Sequence, residues 1–296
     1  AAAQPIARFG IIADVQYADV EDAWNFRRTS VRRYRGALEA LRWAVEDWQR
    51  GPPLEFIADL GDIIDQQCET NGDSHRALDL VLQAWRNAPA KIVHLIGNHE
   101  LYNFNRAEMR KLIPNIFPWY RRLHLAPGWR VLILDGYELN MIEKDARQTV
   151  EQGIEYLSKH NPNDLRAPRG TVNYSEGLEG LEQRFVPMGG AMSQEQLEWI
   201  RQELAEAQRS GDLTIVLTHL PCDPGAANPV CLLCNFNELQ DIFEDFKGTV
   251  PLVLAGHYHP GGYSYNSETQ THHVTIQSPL NAPVETPMAH GVVELF

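Results

Sequence analysis

The segment KIVHLIGNHELYNFN, residues 91–105, shows the pattern on which the fold and the chemistry of this chain both depend. Its first half is apolar and β-branched, as is typical of a buried strand, and it stops at a glycine. Three polar side chains follow at once: Asn98, His99 and Glu100. Polar residues gathered directly after a buried strand indicate a functional site at the end of that strand.

Other short apolar runs along the chain repeat this pattern. They are rich in Ile, Val, Leu and Phe, are bounded by Gly, Asp or Pro, and cover residues 8–14, 54–62, 130–139, 212–220 and 251–257. Helices are predicted over residues 29–49, 74–85, 147–159 and 193–208, the last with Ser193 and Gln196 spaced as in a capping box. Strands that alternate with helices predict an α/β fold with a largely buried sheet.

The remaining segments have weaker patterns. A long loop is expected after residue 159, and the tail from residue 264 onward alternates in the manner of β hairpins. The basic segment RRTSVRRYR, residues 27–35, is interpreted as the solvated first turns of a helix, with a phosphate-binding patch as the alternative. No linker, repeat or low-complexity tract divides the chain, so residues 1–296 are interpreted as one domain.

Composition excludes several classes of protein. The chain has 296 residues, 44% of them hydrophobic, and a formal net charge of −13, which argues against a protein that binds nucleic acid through its phosphates. No apolar run reaches the ~18 to 20 residues of a membrane span. Four cysteines suit a reducing compartment, so we expect a cytoplasmic protein. A start without Met leaves a removed export signal as the alternative. We also expect a monomer.

Polar residues at the ends of the predicted strands are expected to meet, because in α/β sheets the carboxyl ends of the strands share one edge. They are Asp14, Gln16, Asp62, Asn98, His219, His257 and His259. This set holds too many oxygens for a structural zinc site and suits two divalent ions, Mn²⁺ first, with Mg²⁺, Fe²⁺ and Zn²⁺ as alternatives. A pair of such ions promotes in-line displacement at phosphorus, which predicts hydrolysis of a phosphoester or phosphoanhydride in a small anionic substrate.

The order Asp14-x-Gln16, Gly61-Asp62-x-x-Asp65, Gly97-Asn98-His99-Glu100, His219 and Gly256-His257-x-His259 resembles the calcineurin-like metallophosphoesterase superfamily. The resemblance implies a four-layer fold, with two packed mixed β-sheets flanked by helices and a dimetal site at the carboxyl ends of the strands. It also implies two sets of ligands, of which one is Asp14, Gln16, Asp62 and His259 and the other is Asp62, Asn98, His219 and His257. Asp62 would bridge the ions, and His99 would be the catalytic histidine.

At two positions the sequence differs from other members of the superfamily, and these differences restrict the metal ions that we expect. Gln16 stands where most members have a histidine, and its amide oxygen favours a hard ion such as Mn²⁺. Asp65 stands where purple acid phosphatases have the tyrosine that binds ferric iron, so a ferric enzyme is not expected.

Longer strings, among them FGIIADVQYADVEDAWNF, GNHELYNF and AGHYHPGGY, are similar to the manganese-dependent ADP-ribose/CDP-alcohol diphosphatases. This similarity implies that a metal-bridging hydroxide splits ADP-ribose into AMP and ribose 5-phosphate, and CDP-choline or CDP-glycerol into CMP and the phosphoalcohol. The alternatives are another dimetal phosphodiesterase, acting on cyclic nucleotides or phospholipids, and a non-catalytic scaffold of the same fold.

Four residues near these motifs are candidates for the substrate pocket, with packing as the alternative role: Phe26, Tyr102, Phe104 and Cys231. Cys231 and Cys234 form a lone CxxC, for which zinc binding and a redox disulfide are weaker alternatives, because no second pair accompanies it. His272 and His273 would point to opposite faces of a strand, so at most one of them can face the site.

Overall fold

The apolar runs of the sequence form two mixed sheets. The computed structural model describes residues 4–25, 28–168, 170–282 and 289–296. Within these ranges the first sheet consists, in spatial order, of β12 (Gly291–Leu295), β1 (Ala7–Ile12), β4 (Ile57–Asp59) and β5 (Ile92–His94). The second consists of β10 (Gly262–Asn266), β11 (Thr271–Thr275), β9 (Leu252–Ala255), β8 (Leu213–Leu217), β7 (Trp129–Ile133) and β6 (Arg121–Ala126). A separate ribbon pairs β2 (Ala23–Trp24) with β3 (Val31–Arg32).

The strands that carry the site run parallel. In the first sheet β1, β4 and β5 are parallel and β12 is antiparallel to β1. In the second sheet β7, β8, β9 and β11 are parallel, whereas β6 and β10 are antiparallel strands at the two edges. The carboxyl ends of the parallel strands therefore gather on one edge of each sheet, as the sequence predicts.

The two sheets pack face to face over a shared apolar cluster. Alternate residues of the first sheet, such as Phe9 and Ile11 in β1, belong to the same buried cluster as Val131 and Ile133 of β7 and Ile215 of β8. This alternation follows from the two-residue period of a strand, which sends every second side chain to the same face. We propose that residues 1–296 form one domain, since strands from both ends of the chain contribute to this cluster.

Helices cover the outer faces of both sheets. They are α1 (Tyr34–Arg50), α2 (Gln67–Thr70), α3 (Ser74–Trp85), α4 (Asn98–Asn103), α5 (Arg106–Leu112), α6 (Arg147–Leu157), α7 (Gln194–Ser210) and α8 (Phe236–Asp245). Trp48 of α1 donates its indole N–H to Gly291 O at the start of β12 (3.0 Å), and Gln196 of α7 accepts a hydrogen bond from Asp135 N beyond β7 (2.9 Å). The order of layers is helix, sheet, sheet, helix, as the resemblance implies. No helix in the described ranges is long and apolar enough to cross a bilayer.

Several predicted boundaries need correction. The basic segment 27–35, of which residues 28–35 are described, does not form the predicted first turns of a helix, because Val31–Arg32 is a strand and α1 begins at Tyr34. Arg33 N donates to Leu280 O (2.7 Å), a contact 247 positions away that no local pattern reveals. The capping box at α7 is half formed: Ser193 Oγ accepts from Gln196 N (3.1 Å), but the Gln196 side chain binds Asp135 instead of Ser193.

The tail is a hairpin only in part. Strands β10 and β11 pair antiparallel as predicted, with His272 exposed and His273 buried on opposite faces. The last strand, β12, pairs with β1 rather than with its neighbour in sequence. Alternation of apolar and polar residues predicts a strand, but it does not identify the partner of that strand.

Candidate dimetal centre

The seven predicted ligands lie together where the two sheets end. Asp14 and Gln16 follow β1, Asp62 follows β4 and Asn98 begins α4, whereas the three histidines follow β8 and β9: His219, His257 and His259. Six of these residues are buried; His259 is partly exposed. One ligand atom each from Asp62, His219 and His257 lies within 4.8 Å of the others, which is the geometry of a metal site.

Asp62 lies between two groups of these side chains. Its Oδ2 is 3.5 Å from His219 Nε2 on one side and accepts a hydrogen bond from Gln16 Nε2 (2.8 Å) on the other. His219 Nε2 is also 3.3 Å from His257 Nδ1, and His259 Nε2 is 3.0 Å from Gln16 Nε2 and 3.6 Å from Asp14 Oδ1. Such a position between two groups is the one that a bridging carboxylate needs.

Four of the seven residues have backbone conformations that side chains seldom adopt. The φ angles are +56° at Asp14, +45° at Gln16, +61° at Asp62 and +64° at His257. Non-glycine residues with positive φ are uncommon and concentrate at functional sites, where the surrounding structure compensates their strain. The strand ends therefore turn sharply at these residues and direct the side chains to a common point.

Backbone amides of one motif orient the carboxylates of another. His99 N donates to Asp62 Oδ1 and His257 N donates to Asp14 Oδ2, both at 2.8 Å. A Cβ on Gly97 would lie 2.1 Å from Asp62 Oδ1, so only glycine permits this approach. The glycine in the GNHE segment is thus required by the position of the Asp62 carboxylate.

Glu100 joins two of the motifs through the backbone. Its carboxylate accepts hydrogen bonds from Gly97 N (2.7 Å), Asp62 N (2.8 Å) and Ile63 N (2.6 Å). Burial, together with the charge of Asp62, raises the pKa of Glu100 to about 8. Glu100 therefore caps α4 and holds the Asp62 turn.

Hydrogen bonds also set the orientation of two histidine rings. His219 Nδ1 is 2.7 Å from Leu60 O, and His259 Nδ1 is 2.6 Å from Asn281 Oδ1. A neutral ring that donates from Nδ1 has an unprotonated Nε2, and this is the form that binds metals. In both residues Nε2 is the nitrogen that faces the cluster.

Buried acceptor atoms at this position make no hydrogen bond to any protein atom. They are Asp14 Oδ1, Gln16 Oε1 and His257 Nε2. Buried polar atoms are nearly always paired, so three unpaired acceptors in one cluster fit divalent cations. Gln16 presents Nε2 to Asp62 and His259, whereas its Oε1 is the unpaired atom. A half-turn of the amide would exchange the two atoms and turn the oxygen toward Asp62 and His259.

The charges in the cluster are strongly coupled. Burial opposes ionisation of Asp62, but His219 and His99 outweigh it and hold the pKa of this carboxyl well below its ordinary value. Burial likewise opposes protonation of His219, yet the Asp62 carboxylate raises its pKa to about 10. Burial lowers the pKa of His259 to about 3 and that of His257 well below its ordinary value. A cation that binds His219 must displace its proton, so metal binding and proton release are linked.

His99 stands beside the cluster with one nitrogen directed toward it. Its Nδ1 accepts a hydrogen bond from Gln66 N (2.8 Å) and is 3.5 Å from Asp65 Oδ2, whereas Nε2 is 3.9 Å from Asp62 Oδ2. The Gln66 amide therefore favours the tautomer whose proton is on Nε2, facing the centre. This geometry suits a hydrogen-bond donor to a phosphate, and the catalytic role of His99 stays a prediction.

The predicted pocket residues have different positions. The Tyr102 ring packs edge-on against His99, with 5.3 Å between ring centroids, and Cys231 is partly exposed. Phe104 belongs to the core, where it is only 2% exposed, and its ring contacts the ring of His75. This position agrees with the packing alternative and not with substrate contact. Phe26 lies outside the described residues.

The CxxC pair is not joined by a disulfide. Cys234 is buried, and its thiol donates to Arg184 O (3.3 Å). Among the described residues, the group of side chains that could hold a metal ion consists of Asp62, His219 and His257 and contains no cysteine.

Three residues near the centre were missed by the sequence analysis. Tyr137 is fully buried and donates its hydroxyl to Asn98 Oδ1 (3.2 Å), Asn281 orients His259, and Arg32 lies 3.9 Å from Asp65. Tyr137 lies near the end of the predicted strand 130–139 and follows β7, so its place at a strand end was an available signal. Asn281 follows no strand or helix pattern, and Arg32 lies in the segment interpreted as the first turns of a helix. Only the tertiary structure brings both of them here.

Comparison with known proteins agrees with this geometry. The model of the calcineurin-like phosphoesterase family matches residues 7–261. Two relatives, each named manganese-dependent ADP-ribose/CDP-alcohol diphosphatase, are 34% identical in Danio rerio (99% of this chain, 92% of the relative) and 33% identical in Arabidopsis thaliana (100% and 93%). A solved dimetal phosphatase from Danio rerio is 33% identical, with a TM-score of 0.89 over 99% of this chain and 94% of its own. This chain therefore belongs to the calcineurin-like phosphoesterase family.

Proposed function

We propose that this protein is a Mn²⁺-dependent diphosphatase that hydrolyses the pyrophosphate bond of ADP-ribose and of CDP-alcohols such as CDP-choline and CDP-glycerol. The observation that carries the proposal is the group of three buried, unpaired acceptors on Asp14, Gln16 and His257, in a chain whose relatives of this name match it over nearly its whole length. The products from ADP-ribose are AMP and ribose 5-phosphate.

The residues that would hold two ions follow from the two groups on either side of Asp62. One set is Asp14, Gln16, Asp62 and His259, and the other is Asp62, Asn98, His219 and His257. When bound, two divalent ions polarise phosphate oxygens and make a water molecule acidic enough to attack phosphorus at neutral pH. Amide and carboxylate oxygens in the set favour Mn²⁺ over softer ions.

The protein's own groups supply position and hydrogen bonds. His99 Nε2–H is placed to donate to a phosphate oxygen or to the departing oxygen, because Nδ1 is occupied by Gln66 N–H. The Tyr137 hydroxyl donates a hydrogen bond to the side-chain oxygen of Asn98. The backbone N–H groups of His99 and His257 donate to the carboxylates of Asp62 and Asp14, respectively. These contacts place the reacting groups before substrate arrives, which lowers the cost of organising them in the transition state.

The proposal is tested by turnover of ADP-ribose and CDP-choline by metal-stripped protein, with Mn²⁺ or Mg²⁺ added back and AMP and CMP measured. We expect release of both nucleotides in Mn²⁺ and much less in Mg²⁺. Hydrolysis of bis(p-nitrophenyl) phosphate without release of AMP or CMP would instead indicate another dimetal phosphodiesterase. Absence of turnover on every substrate, in protein that binds Mn²⁺, would indicate a non-catalytic scaffold.

The assembly and the compartment are also part of the proposal. We propose a monomer that acts on small molecules in the cytoplasm, in keeping with four cysteines that form no disulfide. Light scattering of the purified protein measures its mass in solution, and a dimer would contradict the first part.

A further inference from the structure

Arg32 is carried to the edge of the dimetal centre by the β2–β3 ribbon. Asn281 ties this ribbon to the site: its Nδ2 donates to Val31 O (3.2 Å) and Ser30 Oγ (3.0 Å), while its Oδ1 is 2.6 Å from His259 Nδ1. One side chain thus orients a predicted metal ligand and the strand that precedes α1. The position of Arg32 relative to the metal ligands is therefore set by the fold.

The guanidinium of Arg32 is close to the centre but is not saturated by protein partners. Its Nη1 is 3.9 Å from Asp65 Oδ2, beyond hydrogen-bond distance, and its Nε is buried without a hydrogen-bond partner, although 30% of the side chain is exposed. The group also lies beside the Tyr34 hydroxyl. The pKa of His259 is lowered first by burial and second by the positive charge of Arg32. The guanidinium therefore lies near this predicted ligand too.

Neighbouring arginines in the same segment are engaged elsewhere. Arg33 donates to Leu280 O through its backbone and to Asn281 O through its side chain (3.1 Å). Arg35 forms ion pairs with Asp19 (2.7 Å) and Glu21 (2.6 Å) at the surface. Arg32 therefore differs from both in having a buried donor that remains available next to the site.

The unpaired atoms at the centre have complementary signs. Asp14, Gln16 and His257 offer unpaired acceptors, which fit cations. Asp65 Oδ2 is an unpaired acceptor as well, and Arg32, 3.9 Å from it, offers an unpaired donor with a positive charge, which fits an anion. A diphosphate substrate carries one negative charge on each phosphate, and the phosphate under attack is the one that two metal ions would bind. The other phosphate then needs a cationic donor, and the planar guanidinium matches phosphate oxygens well.

We propose that Arg32 binds the phosphate of the substrate that is not attacked, and so selects diphosphates over substrates with a single phosphate. The proposal rests on the proposed diphosphatase function and adds a specificity-determining residue to it. No bond is made or broken at Arg32, which contributes only hydrogen bonds and charge. A purely supporting role, in which Arg32 holds Asp65 and through it His99, makes a different prediction.

The test compares substrates with two phosphates and with one. Arg32→Gln removes the charge, Arg32→Lys keeps it, and Arg35→Gln is the matched control because it removes a surface arginine of the same segment. For Arg32→Gln we expect kcat/KM for ADP-ribose to fall about 10- to 100-fold, the scale of a charged hydrogen bond, with less than about a threefold change for bis(p-nitrophenyl) phosphate. Arg32→Lys should recover part of the loss, and bound Mn²⁺ should be unchanged in all three variants.

The outcomes separate the two roles. An equal loss on both substrates would overturn the proposal, because it would mean that Arg32 acts through Asp65 and His99. Unchanged kinetics on both would overturn it as well, since a bound phosphate cannot lose its donor without effect.

A second measurement tests the role of Arg32 even if the wild-type protein does not hydrolyse ADP-ribose. That result would contradict the proposed function but not the phosphate site. ADP and AMP are then compared as inhibitors of bis(p-nitrophenyl) phosphate hydrolysis. Arg32→Gln should weaken inhibition by ADP about tenfold or more and leave inhibition by AMP nearly unchanged. Equal effects on both inhibitors would contradict a site for the second phosphate.

Discussion

Positive φ angles at Asp14, Gln16, Asp62 and His257 show how single residues build this site. Each of these residues turns the chain sharply at the end of a strand, where an extended backbone would carry its side chain past the common point. The strain of such conformations, of order 1–3 kcal/mol each, has to be compensated by the rest of the structure. Hydrogen bonds from the opposite motif, such as His257 N to Asp14 Oδ2, supply part of that compensation.

At the residue scale, His99 and Asp62 should differ in what their loss removes. His99→Ala should keep both Mn²⁺ ions and lower kcat on ADP-ribose about 10²- to 10⁴-fold, because a hydrogen-bond donor to the reacting phosphate is lost. Asp62→Ala should lose metal as well as activity, because its carboxylate lies between both groups of ligands. Metal content by mass spectrometry and turnover are measured together. His124→Ala, at an exposed position of β6, is the control, and equal metal loss in both site variants would refute the role given to His99.

At the element scale, β11 carries a histidine pair that illustrates how a strand separates its two faces. His272 is exposed, whereas His273 is buried between Cys222 and Gln240, 4.0 Å and 3.3 Å away. Burial lowers the pKa of His273 to about 4, so the folded protein keeps this ring neutral at pH values where an unfolded chain protonates it. The contribution of β11 to stability therefore depends on pH.

The direction of this dependence follows from proton uptake. Between pH about 6.5 and about 4 the unfolded state binds more protons at His273 than the folded state does, so the free energy of unfolding falls as the pH is lowered through this range, by about 3 kcal/mol at most. Above pH about 6.5 the contribution is complete. His273→Gln should flatten this slope in denaturant titrations at several pH values, and His272→Gln should leave it unchanged. A wild-type slope in His273→Gln would contradict the assignment.

At the scale of the whole molecule, the predicted metal ligands come from both sheets. Asp62 follows β4 of the first sheet, and His219 and His257 follow β8 and β9 of the second. Ions bound there would join the two sheets at the edge where their strands end. Metal binding should therefore stabilise the packing of the sheets as well as the site.

This link predicts a metal-dependent unfolding free energy. Free Mn²⁺ at 100 times its dissociation constant should stabilise the folded protein by about 2.7 kcal/mol for each site, since the unfolded chain lacks the arranged ligands. Melting temperature is measured with increasing Mn²⁺ after metal removal. Asp62→Ala should show almost no increase, whereas Asp79→Ala, which removes an exposed carboxylate from α3, should behave as the wild type. An increase of equal size in both variants would place the stabilising ion elsewhere.

Much of the architecture was predictable because its signals are local. Ser74–Trp85 has the predicted boundaries, and each strand that leads to a ligand lies within its predicted segment except β1, which begins one residue earlier, at Ala7. The polar residues after those strands could be selected because the carboxyl ends of parallel strands share an edge. Helices α2, α4, α5 and α8 and strand β6 were missed, as was the ribbon that replaces the first turns of α1.

By itself the sequence determined the strands that lead to the ligands, the residue types at the ends of those strands and therefore the class of chemistry. Only the tertiary structure decided which distant residues support them: Asn281 against His259, Tyr137 against Asn98, and Arg32 at the edge of the centre. The physical reason is the range of the signals. Periodicity, capping and turn preferences act over a few residues, whereas these contacts join positions 22 to 39 residues apart, or, for Arg33 and Leu280, opposite ends of the chain. Such contacts form only once the two sheets have packed.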